Sequence, residues 1–275
     1  MSVKLICFDL DGTFLDDSKN IPPENLRAIE KAAEKGVHIV PATGRTYTGL
    51  PEVLRQIPCI RYFITANGAH VYDAREDKVI SRAEIPLELA IRFYDYADTL
   101  PAIYDCYKFT CGYMTKSMWD QCEKYVSNPD MLRHVRNMRK PVPELKQYLR
   151  EVGEDILKMQ MFFIDMDERR RQLELMPKLF PELVFSSSIP GNVEINIAGG
   201  TKGQALIRLC RLLGFEPEEA MAIGDGSNDM DMIAAAGTGV AMENATPELK
   251  AIACYVTDNN NQAGFAKAIE KFVLS

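Results

Sequence analysis

Short apolar runs alternate with helix-patterned segments at both ends of this chain, and the rhythm fails in the middle. Residues 3–10 read as a buried strand. Pro22-Pro23 opens a helix to about Lys35, which Gly36 stops, because proline suits the first helical turn and glycine accepts the left-handed exit. Residues 37–41 form a second strand, a helix runs through about Arg55, and residues 62–65 form a third strand. Asn67-Gly68 marks a turn. The runs around Val71-Tyr72 and Val79-Ile80 read as a small hairpin. Near the C-terminus the order is helix 202–213 with Gly214 as its stop, strand 220–223, helix 229–235, strand 239–241, a helix from Pro247, strand 255–256 and a closing helix over 263–272. Such alternation predicts an α/β fold: a parallel sheet covered on both faces by helices.

Residues 83–188 break the pattern. They hold the single tryptophan, Trp119, many tyrosines and the Pro141–Pro143 stretch. Helical patterns at 86–98 and 168–179 and strand-like runs at 158–164 and 183–185 read as an inserted α+β domain. The expected division is a core of 1–82 and 189–275 with an insert of 83–188.

The sequence has 275 residues, of which 47% are apolar, enough for a sizeable core and a smaller companion. A net charge of −7 argues against a nucleic-acid partner. No apolar stretch approaches the length of a membrane span, and no basic segment leads into an apolar run with a cleavage site. No membrane partner and no signal peptide are expected. The seven cysteines are odd in number and scattered, which suits a reducing cytoplasm; Cys106 and Cys111 could pair only if they met in space. His38, His70 and His134 are dispersed and suggest no histidine metal site. Nothing in the sequence sets the oligomeric state, which stays open, a monomer included.

The chemistry concentrates at predicted strand ends, where open parallel sheets bind ligands. Asp9-Leu10-Asp11-Gly12-Thr13 follows the first strand. Two carboxylates one residue apart at the mouth of a buried strand repel each other and resist desolvation, and a hard cation such as Mg²⁺ relieves the conflict. Asp9 can be both nucleophile and metal ligand, while Asp11 can protonate a leaving oxygen and later activate water. Gly12 permits a tight turn and Thr13 fixes it. Asp165-Met166-Asp167 also follows an apolar run but lacks the Gly-Thr turn, and reads as a helix start. Thr43-Gly44-Arg45 offers a hydroxyl and backbone N–H groups before a helix, an anion cradle; Arg45 fits either a substrate contact or plain surface. Lys202, between Thr201 and Gly203 at a helix start, suits phosphate binding and damping of the Asp9 charge. In Gly224-Asp225-Gly226-Ser227-Asn228-Asp229, Asp225 can supply a further metal oxygen and Asn228 can donate to phosphate. Asp229 can support the metal through water or hold Lys202.

As an ordered set, Asp9-x-Asp11-Gly12-Thr13, Thr43, Lys202 and Gly224-Asp225-x-x-Asn228-Asp229 resembles the haloacid dehalogenase superfamily of phosphotransferases. Ala42-Thr43-Gly44-Arg45, Asn67-Gly68-Ala69, Glu194-Ile195-Asn196 and Thr201-Lys202-Gly203 look like its Cof-type branch. An insert between the threonine and lysine motifs looks like a C2-type cap. The resemblance implies a Rossmann-like core and a Mg²⁺-dependent phosphatase of sugar phosphates or similar small monoesters. It also implies phosphate contacts from the Leu10 backbone, Thr43, Gly44, Lys202 and Asn228. Mg²⁺ would be held by Asp9, Asp225 and the backbone carbonyl of Asp11.

Two other readings fit the same motifs. A phosphomutase needs a second phosphate clamp in the insert, to which Arg133, Arg136 and Arg139 come nearest; at helical spacing they more often form a solvated stripe. A phospho-accepting module, like a receiver domain, shares the clustered acids, threonine and lysine but is much shorter. Tyr104, Tyr107, Phe109 and Tyr113 could border a substrate entry or pack the core of the insert.

Overall fold

The computed structural model describes residues 3–108, 111–126, 128–187 and 191–275. These divide into two units: residues 1–45, 50–82 and 200–275, and residues 46–49 with 83–199. Phe109, Ser188 and the side chain of His134 lie outside what is described.

The first unit begins with β1 (Leu5–Phe8), α1 (Pro23–Glu34) and β2 (His38–Pro41). After α2 (Glu52–Arg55) come β3 (Tyr62–Thr65), β4 (His70–Asp73) and β5 (Lys78–Arg82). The chain returns to this unit after the insert. Every residue of β1 is buried, as a strand covered on both faces requires. α1 buries Asn25, Ala28, Ile29 and Ala32, one face at helical spacing. The helix expected to run through Arg55 is shorter. It breaks into one 3₁₀ turn at Tyr47–Gly49 and α2, because Pro51 cannot continue a helix.

The insert runs α3 (Leu87–Ala97), β6 (Ala102–Tyr107), β7 (Gly112–Thr115), α4 (Lys116–Trp119), α5 (Cys122–Tyr125), α6 (Pro129–Met138) and β8 (Arg139–Val142). It continues with α7 (Leu145–Val152), β9 (Lys158–Phe163), α8 (Met166–Leu179), β10 (Leu183–Ser186) and β11 (Asn192–Ile197). Its six strands form one sheet in the order β10-β11-β9-β6-β7-β8. All neighbours are antiparallel except β7 and β8. One face is apolar: Tyr104, Cys106, Met159, Met161, Val193 and Ile195 pack with Phe93 and Tyr94 of α3. The alternate residues Asp105, Lys158, Gln160 and Glu194 are buried as well, so both faces of the sheet are covered. The expected boundary at 188/189 moves to 199/200, because β11 pairs in register with β9 and belongs to the insert's sheet.

Other expectations inside the insert also change. Arg139 is not part of a solvated helical stripe; it lies in β8, buried against Asp105, while Arg136 is exposed and faces Glu123. Tyr104 stacks on Tyr94 in the apolar core, with ring centres 4.7 Å apart. Tyr107 projects from the opposite face, where Arg139 and Lys158 lie over its ring. Tyr113 packs on Tyr148. Asp165 caps α8 by accepting from the N–H groups of Asp167 and Glu168, the helix start read from its context.

The core unit then resumes with α9 (Lys202–Leu213), β12 (Ala220–Gly224), α10 (Met230–Ala235), β13 (Thr238–Ala241), α11 (Pro247–Ile252), β14 (Tyr255–Val256) and α12 (Gly264–Ile269). Five strands form a wholly parallel sheet in the order β14-β13-β12-β1-β2. The hairpin sheet β3-β4-β5 adjoins it through parallel bridges from Ile39 to Ile60 and from Ala42 to Ile64. From β1 the chain moves outward through β2; later it re-enters on the other side of β1 and moves outward through β12, β13 and β14. The reversal places a crevice at the carboxyl ends of β1 and β12. No disulfide joins the cysteines, and among the described residues no helix is long and apolar enough to cross a membrane.

Candidate active site

The register of the central strands brings the acids together. Phe8 of β1 lies beside Ile223 of β12, and the Asp9 N–H donates to the Ile223 carbonyl at 3.0 Å. Asp9 and Asp225 therefore leave neighbouring strand ends. Behind them Phe8, Phe14 and Phe265 pack edge-on or tilted with centroids 4.8 to 5.0 Å apart, fixing the chain on either side of Asp9 and Asp11.

The turn after β1 is tight. The Leu10 carbonyl accepts from the N–H groups of Thr13, Phe14 and Leu15 at 3.4, 3.1 and 2.9 Å. Gly12 has φ +89°, and a Cβ there would stand 2.4 Å from an Asp225 carboxylate oxygen. Only glycine lets this turn approach Asp225 so closely. Thr13 Oγ1 completes the approach by donating to Asp225 Oδ1 at 2.7 Å.

Lys202 enters from the first turn of α9, which Thr201 caps through Gln204 N–H. Its ammonium is fully buried and lies 2.5 Å from Asp9 Oδ1 and 2.6 Å from Asp229 Oδ1. Asp229 Oδ2 accepts from the N–H groups of Asp225 and Gly226, closing the loop after β12. The α9 start is seated against the turn after β3: Gly68 has φ +114°, and a Cβ there would fall 2.1 Å from the Thr201 carbonyl oxygen. Gly68→Ala is expected to push this turn and Lys202 apart at a cost of roughly 2–4 kcal/mol. Urea denaturation checks this; a loss below about 1 kcal/mol would show that the contact is soft.

Oxygens of Asp9, Asp225 and Asp229 all lie within 4.8 Å of one another. Burial raises the Asp9 carboxyl well above its ordinary range; Lys202 opposes the shift, and Asp229 and Asp225 add to it. Burial, then Asp229, pushes Asp225 up to about 6, against Thr13 and Lys202. Burial alone would lower the Lys202 ammonium, but Asp229 and Asp9 outweigh it and hold it well above the lysine range. Three carboxylates against one ammonium leave an excess of negative charge. That excess, in an all-oxygen donor set, fits a hard divalent cation.

The Asp11 carboxylate has partners of its own. Arg45 grips it with two hydrogen bonds, Nε to Oδ2 at 3.0 Å and Nη2 to Oδ1 at 2.8 Å, and Lys19 Nζ stands 2.9 Å from Oδ1. Burial would raise this carboxyl, but Arg45 and Lys19 lower it more, so Asp11 is held ionised. Thr43 is buried at the end of β2, where its hydroxyl accepts from the Arg45 N–H. Gly44 lies between them. Asn228 is not oriented by the acids: its Nδ2 donates to Asn67 Oδ1 at 3.1 Å.

Asp9, Asp225, Asp229 and Lys202 thus meet in one cluster, and Asp11 and Thr43 follow β1 and β2 at the same carboxyl end of the sheet. Sequence reasoning leaves the role of Arg45 open and passes over Lys19. Lys19 has φ +64° in the turn closed by its N–H on the Asp16 carbonyl, and from that turn its ammonium reaches Asp11.

A family model described as haloacid dehalogenase-like hydrolase matches residues 6–269. The chain is 34% identical over 274 residues to the 5-amino-6-(5-phospho-D-ribitylamino)uracil phosphatase YcsE of Bacillus subtilis (strain 168), covering 100% of this chain and 97% of that one. It is 30% identical over 264 residues to the HMP-PP phosphatase of Serratia proteamaculans (strain 568), covering 90% and 87%. Its fold is similar to the solved structure of a haloacid dehalogenase-like hydrolase from B. subtilis, with TM-score 0.82 and 28% identity over 98% of this chain and 100% of that one.

Proposed function

The chain belongs to the haloacid dehalogenase-like hydrolases, as a Cof-type phosphatase of phosphorylated small metabolites, and we propose that it is Mg²⁺-dependent and works through an aspartyl-phosphate on Asp9. The observation that carries this is the cluster of Asp9, Asp225, Asp229 and Lys202 at the carboxyl ends of β1 and β12.

Asp9, Asp225 and the Asp11 backbone carbonyl would hold the cation, with Asp229 supporting the set through the Asp225 N–H. When bound, Mg²⁺ neutralises phosphate oxygens and spares Asp9 the repulsion of its neighbours. Lys202 shares that task from the other side. The Leu10 backbone, Thr43, Gly44 and Asn228 contact the remaining phosphate oxygens. Asp9 attacks phosphorus in line, the phosphorus–oxygen ester bond breaks, and the leaving oxygen takes a proton from Asp11. Water then gives a proton to Asp11 and attacks the same phosphorus, releasing phosphate and Asp9. Asp11 carries a proton at the start of the cycle only when its contacts with Arg45 and Lys19 loosen. With both in place it is the carboxylate that the second step needs.

The inserted unit serves as the cap that selects the substrate. The substrate class is a small phosphate monoester, a sugar phosphate or a metabolite such as the one named for the B. subtilis relative. The phosphomutase alternative loses its best support, since Arg139 is committed to Asp105. A cytoplasmic site of action fits the scattered, odd-numbered cysteines, and a reading without nucleic-acid or membrane partners fits the net charge of −7 and the lack of an apolar stretch of membrane-span length.

The test is phosphate release from a panel of sugar phosphates, nucleotides, flavin mononucleotide, pyridoxal phosphate and 5-amino-6-(5-phospho-D-ribitylamino)uracil, with Mg²⁺ or with EDTA. Release from at least one compound that EDTA abolishes and Mg²⁺ restores is expected. Release unaffected by EDTA would remove the metal from the reading. No release from any compound would count against general monoester hydrolysis.

A further inference from the structure

Three asparagine side chains hold the turn that follows Asp11. The carbonyls of Gly12, Phe14 and Leu15 accept from the side-chain amides of Asn244, Asn25 and Asn260 at 2.8, 2.9 and 3.1 Å. These asparagines come from three separate segments. Asn25 and Asn260 are buried, so their loss would disturb packing as well as hydrogen bonding. Asn244 is exposed and differs in where its loop goes.

The loop after β13 binds both acid-bearing turns. Its Met242 N–H donates to the Gly224 carbonyl at 3.0 Å, and its Thr246 N–H donates to the Asp225 carbonyl at 3.1 Å. Between them, Asn244 Nδ2 reaches across to Gly12, whose neighbour Thr13 donates to Asp225 Oδ1 at 2.7 Å. Asn244 Oδ1 is fixed in turn by the Asn260 N–H at 3.2 Å. The Gly12–Thr13 turn, the Asp225 carboxylate and the Asp225 backbone are therefore tied into one ring of contacts through a single amide. An amide is needed there, because one end donates to a carbonyl while the other accepts an N–H.

We infer that Asn244 is a positioning residue for the cation site: by joining the Gly12 carbonyl to the loop after β13, whose Thr246 N–H holds the Asp225 carbonyl, it sets the spacing of Asp225 from Asp9. The inference rests on the proposed Mg²⁺-dependent reading of the same site. Groups that orient metal ligands without touching the metal typically govern affinity strongly.

Mg²⁺ binding by titration calorimetry on the wild type, Asn244→Ala and Asn244→Asp tests it, with kcat, KM and the thermal midpoint in EDTA measured alongside. Asn244→Asp keeps the acceptor for Asn260 and removes the donor to Gly12, and its added negative charge would by itself tighten cation binding. Both variants are expected to bind Mg²⁺ about tenfold more weakly, with KM at saturating Mg²⁺ and the EDTA midpoint nearly unchanged. Affinity within about twofold of wild type in Asn244→Ala overturns the inference. So does tighter binding in Asn244→Asp, which would make charge rather than the donor decisive, or weakening that only tracks a fall in the EDTA midpoint. A wild type that neither binds Mg²⁺ nor needs it for phosphate release overturns the proposed function itself, a result separable from equal binding by wild type and variants.

Discussion

Asp9→Asn is expected to lower phosphate release by about 10⁴-fold or more, because it replaces the carboxylate that attacks phosphorus with a neutral, weakly nucleophilic amide. Asp11→Asn should cost less, about 10²–10⁴-fold, the usual contribution of a positioned proton donor. The order of these losses is informative. If Asp11 were the nucleophile, its substitution would be the more severe. Its carboxylate is gripped by Arg45 and Lys19 and is not one of the clustered oxygens of Asp9, Asp225 and Asp229, which argues against that. Stability should move in the opposite direction to activity. Asp9 is buried among like charges and its carboxyl is pushed well up, so a neutral amide of the same shape relieves repulsion while Lys202 keeps Asp229. The thermal midpoint of Asp9→Asn in EDTA should therefore equal or exceed that of the wild type, and added Mg²⁺ should raise it less. An Asp9→Asn protein that retains a tenth of wild-type turnover would remove Asp9 from the nucleophile role.

The core and its acids are legible in the sequence for one physical reason. A parallel sheet covered on both faces needs uniformly apolar strands, and its ligand residues come next in sequence to those strands. Leu5–Phe8 and Ala220–Gly224 are such runs, with Asp9 and Asp225 directly after them. The insert is harder to read because its polar residues do not mark solvent. In β6 the Asp105 side chain is wholly buried, and β8 begins with Arg139 and carries Pro141. Asn192–Ile197 alternates polar and apolar residues, a strand pattern, yet Asn192, Glu194 and Asn196 are buried rather than solvated. What satisfies two of them comes from far away in sequence: Lys158 pairs with Glu194 at 2.9 Å, and the Leu157 carbonyl accepts from Asn196 Nδ2 at 3.2 Å. Local pattern cannot supply those partners. The same holds at the site: Asp9 and Lys202 are separated by most of the chain but share a charge conflict that chemistry predicts. Lys19 joins Arg45 on Asp11 from a left-handed turn, which that residue type does not signal.

Arg139→Met is expected to destabilise the inserted unit by about 3–5 kcal/mol, the usual cost of breaking a buried ion pair from one side. Arg139 Nε lies 2.5 Å from Asp105 Oδ2, both side chains are almost wholly shielded from water, and a second nitrogen donates to Gln160 Oε1 at 2.9 Å. Removing the guanidinium leaves the carboxylate without its main counter-charge, beside the acid Glu194. The remaining nearby cation, Lys158, is already paired with Glu194. The pH dependence has a definite sign. Burial already raises the Asp105 carboxyl, with Arg139 opposing it, so deleting Arg139 raises it further. A carboxyl whose folded pKa exceeds its unfolded value favours the folded state most at low pH, where it is neutral, and loses that advantage as pH rises toward the folded value. The deficit of Arg139→Met should therefore be smaller at acid pH than at neutral pH in urea titrations. Replacing both partners, Asp105→Leu with Arg139→Met, should recover most of the loss, because a buried pair contributes little beyond its matched apolar equivalent. Asp105 Oδ1 accepts no hydrogen bond among the described residues, which weakens the pair further against that alternative. If the double variant is as unstable as Arg139→Met alone, the guanidinium acts through its packing over Tyr107 and Phe162 rather than through its charge.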